Sequence, residues 1–204
     1  MFDETWFAHI IRPSRYIGGE INLIKKKPGS TEVSVVLAFP DVYEVGMSHL
    51  GLKLLYHILN ARSWIAAERA FAPWVDLENE LKNRSIPLTT LESGRPLRTF
   101  DIVGFSIQHE LCYTTILNML VLSRIPLLAS QRTQKDPLVI AGGPACFNPE
   151  PMAEFFDAMV IGDGEEATLE ICRSVKEEKK RKRSHRKGLI SRLRHIKGVY
   201  AVSY

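Results

Sequence analysis

From Val33 onward the chain alternates short apolar runs with stretches whose apolar residues recur at helical spacing, and most of the apolar runs end in a turn of small or polar residues. That order constrains the fold more than any other feature. Parallel strands need crossover helices and are buried on both faces, so they read as continuous apolar runs separated by amphipathic segments. Five strands are expected, over 33–39, 66–71, 102–107, 138–141 and 158–161. Helices are expected over 47–60, 74–82 and 110–123, with a short one opened by Pro149-Glu150-Pro151 and a last one from Gly162-Asp163-Gly164-Glu165-Glu166 to about Lys180. The fold class is α/β: a doubly wound, flavodoxin-like (Rossmann-type), five-stranded parallel sheet in the order 2-1-3-4-5.

The 204 residues, 45% of them hydrophobic, suffice for one sizeable domain with appendages. Residues 1–32 read as a lead-in, with turn signals at Tyr16-Ile17-Gly18-Gly19-Glu20 and Pro28-Gly29 around a short strand over 21–24. The α/β domain is expected over 33–176. Residues 177–204 read as a basic linker and the start of a following domain, or an element that docks, with a helical Leu189-Ile190-Leu193 stripe and a strand over 199–202.

Charge is unevenly placed. Residues 173–197 hold 12 Lys and Arg against two Glu, so with a net charge of +4 the rest of the chain is mildly acidic. The run 179–187 has the charge to hold RNA, but it lacks the interleaved aromatics that stack on bases, and a solvated linker is the simpler reading. No apolar run approaches the roughly 20 residues of a membrane-spanning helix. The start, residues 1–15, mixes Asp3, Glu4, His9 and Arg12 among apolar residues and lacks the order of a secretion signal. Cys112, Cys146 and Cys172 are odd in number and far apart, which points to a reducing compartment; the cytoplasm is expected.

In an open α/β sheet, ligands collect beyond the carboxyl ends of the strands, near the switch in strand order. Here those ends carry Asp41-Val42-Tyr43-Glu44-Val45-Gly46, Ser106 to His109, Gly142 to Cys146 and Gly162 to Glu166. Glycine lets backbone approach a ligand closely, and a helix start supplies free amides. Any α/β fold needs some glycine there, so the weight lies on three turns acting together. Asp41, Tyr43, Gly46, Ser106, Gln108, Gly142, Gly143 and Pro144 are expected to converge as a ligand floor. His49 reads as a packing or helix-surface histidine, Cys146 as a small buried hydrophobe, and Asp163, Glu165 and Glu166 as helix-dipole partners. A phosphoacceptor receiver is excluded, because the third strand ends in Gly104-Phe105-Ser106 without a carboxylate and no lysine follows the fifth. The first turn has only Gly46, which excludes a Gly-x-Gly-x-x-Gly nucleotide loop.

Asp41-x-Tyr43-x-x-Gly46, Ser106-Ile107-Gln108 and Gly142-Gly143 together resemble the cobalamin-binding domains of methyltransferases and mutases, whose motifs are Asp-x-His-x-x-Gly, Ser-x-Leu and Gly-Gly. Tyr43 stands in place of the histidine that ligates cobalt, and Gln108 in place of leucine, so the resemblance implies cobalamin bound without a protein histidine. A wider set is similar to the N-terminal B12-binding-like domain of radical SAM proteins, and to a bacterial family of uncharacterised ones. It comprises Phe39 to Gly46, Glu68 to Trp74, Asp101 to Ile107, Val139 to Pro144, Pro149 to Pro151 and Ala158 to Glu166. That resemblance implies a catalytic barrel as partner, in cis or as a separate chain, bearing a 4Fe-4S cluster and S-adenosylmethionine. The cluster needs Cys-x-x-x-Cys-x-x-Cys, whereas Cys112, Cys146 and Cys172 stand 34 and 26 residues apart. The chain is therefore expected to be a non-catalytic front domain enclosing cofactor or substrate. The alternative is an interaction module whose basic tail binds RNA or a protein.

Overall fold

The structure is a computed structural model that describes residues 9–27, 29–181 and 185–201. The first half of the segment read for a secretion signal, Pro28, the middle of the basic run and the last residue of the strand expected over 199–202 lie outside the described residues. The elements run β1 (Val33–Phe39), α1 (Tyr43–Ser48), α2 (Leu50–Asn60), β2 (Ile65–Phe71), α3 (Val75–Asn83), β3 (Ile102–Ser106), α4 (Tyr113–Leu122), β4 (Leu138–Gly142), β5 (Ala158–Val160), α5 (Gly164–Lys179), α6 (Arg186–Leu193) and β6 (Val199–Tyr200). A short 3-10 turn at Glu110–Cys112 joins the end of β3 to α4, and two more, at Pro144–Phe147 and Glu150–Phe155, join β4 to β5.

The sheet has the order β2-β1-β3-β4-β5-β6. The first five strands are parallel and stand in the expected order, and β6 adds an antiparallel edge through Met159↔Tyr200 and Val160↔Val199. The sheet is thus six-stranded and mixed, not five-stranded and parallel, and the flavodoxin-like description holds only broadly. The added strand follows from α6, whose Leu189, Ile190 and Leu193 are buried against the sheet and return the chain to β5.

Each face of the sheet carries its own core. Period-two alternation in β1 sends Val36 and Ala38 to the face covered by α3 and α4, with Leu77, Leu81, Ile116, Met119 and Leu120. Val35, Leu37 and Phe39 go to the other face, with Leu52 and Leu59 of α2 and Ile171 and Val175 of α5.

The expected helix over 47–60 is instead two helices, broken at His49, whose backbone is extended (φ −72°, ψ 118°). The imidazole Nδ1 accepts the Leu52 N–H at 3.1 Å and so caps α2. The expected strand over 21–24 is not formed: Ile21 and Asn22 turn, and Ile21 is fully exposed. Among the described residues, β2's outward groups at Ile65, Ala67 and Arg69 are already taken and offer no pairing there. Asn60 bonds both the N–H and the carbonyl of Ala67 (3.1 and 3.0 Å), the Glu92 carboxylate accepts the Arg69 N–H (2.6 Å), and Leu91 N–H donates to the Arg69 carbonyl (2.8 Å). Lys26 covers the Ile65 carbonyl.

Candidate functional site

The switch in strand order falls between β1 and β3. The chain leaves β1 for α1 and α2 on one face, and leaves β3 for α4 on the other, so a seam opens between their carboxyl ends. A depression lies on each side of that seam.

On the face of α2 and α5, a slot of about 240 Å³ is floored by Gly104, Ser106, Gln108, Gly142, Gly143 and Pro144 and walled by His49, Leu55 and Thr168. Asp163 and Glu165, at the start of α5, stand at its polar side. The floor is low because glycines form it. Gly143 has φ 111°, and a Cβ there would lie 2.6 Å from the Ile107 carbonyl oxygen, so this backbone turn cannot take a side chain. Two hydrogen bonds lock it: Ile107 N–H to the Gly142 carbonyl at 2.7 Å and Ala145 N–H to the Ile107 carbonyl at 3.2 Å.

On the other face, between the starts of α3 and α4, an open groove of about 470 Å³ is lined by Asp41, Trp74, Glu78, His109, Thr114 and Asn118 among others. Among the described residues, neither depression is lined by lysine or arginine. Both suit neutral or cationic groups rather than a ligand led by phosphate.

Five of the expected floor residues therefore meet: Ser106, Gln108, Gly142, Gly143 and Pro144 share the slot. Asp41 belongs to the groove, with its Oδ1 accepting the Val42 N–H at 2.7 Å and its carbonyl accepting Ala72 N–H at 3.0 Å. Tyr43 and Gly46 line neither. Because the turn after β1 is already helical, Gly46 packs under Phe71, where a Cβ would come within 2.3 Å of the ring. Tyr43 stacks edge-on against the same ring at 5.6 Å and donates its hydroxyl to Glu20 Oε1 at 3.1 Å. Burial, then the Glu20 charge, pushes the Tyr43 phenol above its ordinary pKa.

His49, read from sequence as a packing or helix-surface histidine, does pack, and its cap and its place on the slot wall are what sequence reasoning missed. It lies on the slot wall 5.0 Å from the Phe39 ring, and since Nδ1 accepts from Leu52, the proton of the neutral ring is on Nε2. The signal available was its position just ahead of an apolar helical repeat, where a cap belongs.

The cysteines are not metal ligands in waiting. All three are free and buried. Burial pushes Cys146 and Cys172 up to about 12, and Cys112 is also raised by burial while its Sγ donates to the His109 carbonyl at 2.9 Å. Among the described residues no group of three His, Cys, Asp or Glu side chains is placed to hold a metal ion, and no helix is long and apolar enough to cross a membrane. Part of the basic segment is paired at home. Lys176 and Lys180 meet Glu32 (2.6 and 3.0 Å), Lys179 meets Asp101 (2.8 Å), Arg186 meets Asp157 (2.6 Å), and Arg192 meets Glu178.

Comparison with known proteins places this geometry in context. The profile described as radical SAM proteins, N-terminal, matches residues 51–201. No curated protein and no solved structure matches the chain.

Proposed function

Since the chain belongs to the family of radical SAM proteins, N-terminal, we propose that it is a cobalamin-binding-like domain that encloses a cofactor or substrate for a catalytic domain bearing the 4Fe-4S cluster and S-adenosylmethionine. The observation that carries this reading is the pair of depressions flanking the β1–β3 seam, one a glycine-floored slot and the other an open groove. A ligand too large for either can lie across the sheet edge and engage both.

The fit to cobalamin is partial. A slot of about 240 Å³ admits a ring-sized appendage and not a whole corrin. The donors do not suit cobalt: Tyr43 replaces the motif histidine and its phenol is committed to Glu20, while His49 is committed through Nδ1 to α2. If a corrinoid binds, this chain holds it by shape, through the backbone of Gly142 and Gly143 and the side chains of Ser106 and Gln108, and leaves the metal unligated. The buried, protonated thiols leave the cluster ligands to the catalytic domain.

Purified protein mixed with hydroxocobalamin and passed through gel filtration should retain corrin absorption bands. Ser106→Leu, which fills the slot, should lose them while unfolding at a similar temperature. Bands absent from the unsubstituted protein would remove cobalamin and leave the enclosure of another flat ligand to be tested by the same variant.

A further inference from the structure

Residues 9–27 run as a strap from the start of α3, past the turn after β1, and down the outer side of β2. Its ends are fastened. Ile10 is buried in the core, and the Tyr16 hydroxyl accepts the Trp74 N–H at 3.0 Å. Beyond the crossing, the Ile24 N–H donates to the Tyr56 hydroxyl at 2.9 Å and Lys26 bonds the Arg62 and Ile65 carbonyls. Between the fastenings stand Gly18 and Gly19, both at positive φ (67° and 90°), and then Glu20.

Glu20 turns inward. Its Oε1 accepts the Tyr43 hydroxyl at 3.1 Å, and Oε2 faces Arg69 Nη2 at 3.9 Å. Both of these facing atoms are buried and neither has a hydrogen-bond partner among the described residues. The Arg69 side chain is 4% exposed and cannot swing to find one, because Nε is held by Glu92 at 2.6 Å and the guanidinium lies over the Tyr56 ring at 4.4 Å. The Arg69 charge is balanced by Glu92 and Glu20, but a buried N–H without a hydrogen bond is still costly, so a rigid N–H and a phenol hydroxyl side by side amount to a formed site that its present occupant fills poorly.

We propose that Arg69 Nη2 and the Tyr43 hydroxyl form an oxyanion site in which the Glu20 carboxylate stands in for the carboxylate or phosphate of a ligand, and that the ligand displaces Glu20 by lifting the strap about Gly18 and Gly19. The exchange replaces one anion by another: a carboxylate ligand leaves the charge facing the neighbouring Glu92 unchanged, and a phosphate adds up to about one further negative charge. An added anion with Glu20 in place would meet repulsion instead. None of these residues lines the slot or the groove, and the assignment stands whether or not a corrinoid binds.

Isothermal titration of inorganic phosphate and, separately, acetate into Glu20→Gln protein tests it, at constant ionic strength set with chloride. Binding should be at least about tenfold tighter than to the unsubstituted chain, and adding Tyr43→Phe should weaken it again. Binding of phosphate alone assigns a phosphate ligand, and binding of both assigns the shared oxyanion. No gain with either anion, or an equal gain with chloride, overturns the site. Should Glu20→Gln fail to fold, hydrogen exchange of the unsubstituted chain decides. Saturating phosphate or acetate should speed exchange at residues 18–22 and nowhere in β1, and unchanged exchange rejects the proposal.

Discussion

Asp157 is fully buried and accepts from three directions: the Val139 N–H at 2.8 Å, Arg132 Nη1 at 3.2 Å and Arg186 Nη2 at 2.6 Å. Arg132 is equally buried and is satisfied by the carbonyls of Pro126, Leu127 and Phe155. Replacing the carboxylate by an amide removes the buried negative charge that both guanidinium groups face. Asp157→Asn should therefore cost roughly 3–5 kcal/mol, seen as a lower denaturation midpoint at unchanged slope. Burial at Cys146 and Cys172 makes a different prediction. Their folded-state ionisation near 12 lies above the about 8.5 of an unfolded thiol, so the folded form keeps protons that the unfolded form releases. That stabilisation is complete below about pH 8.5 and is lost as pH climbs toward 12. Iodoacetamide at pH 8 should label both residues only as fast as denaturant opens the fold. Rapid labelling of native protein would contradict their burial. Cys146 was legible from sequence as a small buried hydrophobe, whereas nothing local to Asp157 announced two arginines 25 and 29 positions away.

The elements that sequence missed share a physical cause. Hydrophobic spacing runs smoothly from Met47 to Asn60, and periodicity does not register a single extended residue that interrupts it. His49 supplies the interruption with a side-chain cap, which a neutral imidazole provides less often than Ser or Asp. His49→Ala should cost about 0.5–2 kcal/mol and raise hydrogen exchange in the first turn of α2, around residues 50–53. A protein unchanged in both would show that the cap is idle. The strand expected over 21–24 has the composition of one, but pairing is decided by the neighbour, and β2's outer groups were already bonded to side chains. Strand β6 has the opposite history. Its residues were read as part of an element that docks or begins a following domain, and they close onto β5 because α6 buries its apolar stripe on this sheet.

At the scale of the molecule, the alternation of strand and helix gave the five parallel strands and their order, since crossover geometry leaves few arrangements. It also brought Ser106, Gln108, Gly142, Gly143 and Pro144 to one slot. Asp41, Tyr43 and Gly46 lie within six residues of each other yet face a groove, a buried carboxylate and the underside of Phe71. A helix that begins at Tyr43 sends successive residues in different directions, and only the structure reveals where it begins. The basic segment was legible as charge and illegible as contact. Its partners Glu32, Asp101 and Asp157 come from three distant parts of the chain, and ion pairing between distant segments leaves no mark on local composition.

The seven-residue outer strand β2 has its lateral groups at Ile65, Ala67 and Arg69 stoppered by Lys26, Asn60, Glu92 and Leu91. Runaway stacking of copies into fibrils starts where a sheet margin leaves amides and carbonyls vacant, and here the long margin has none to lend at those positions. Growth of that kind would have to seed at the opposite lip, where among the described residues β6 offers two, too few to template a neighbour.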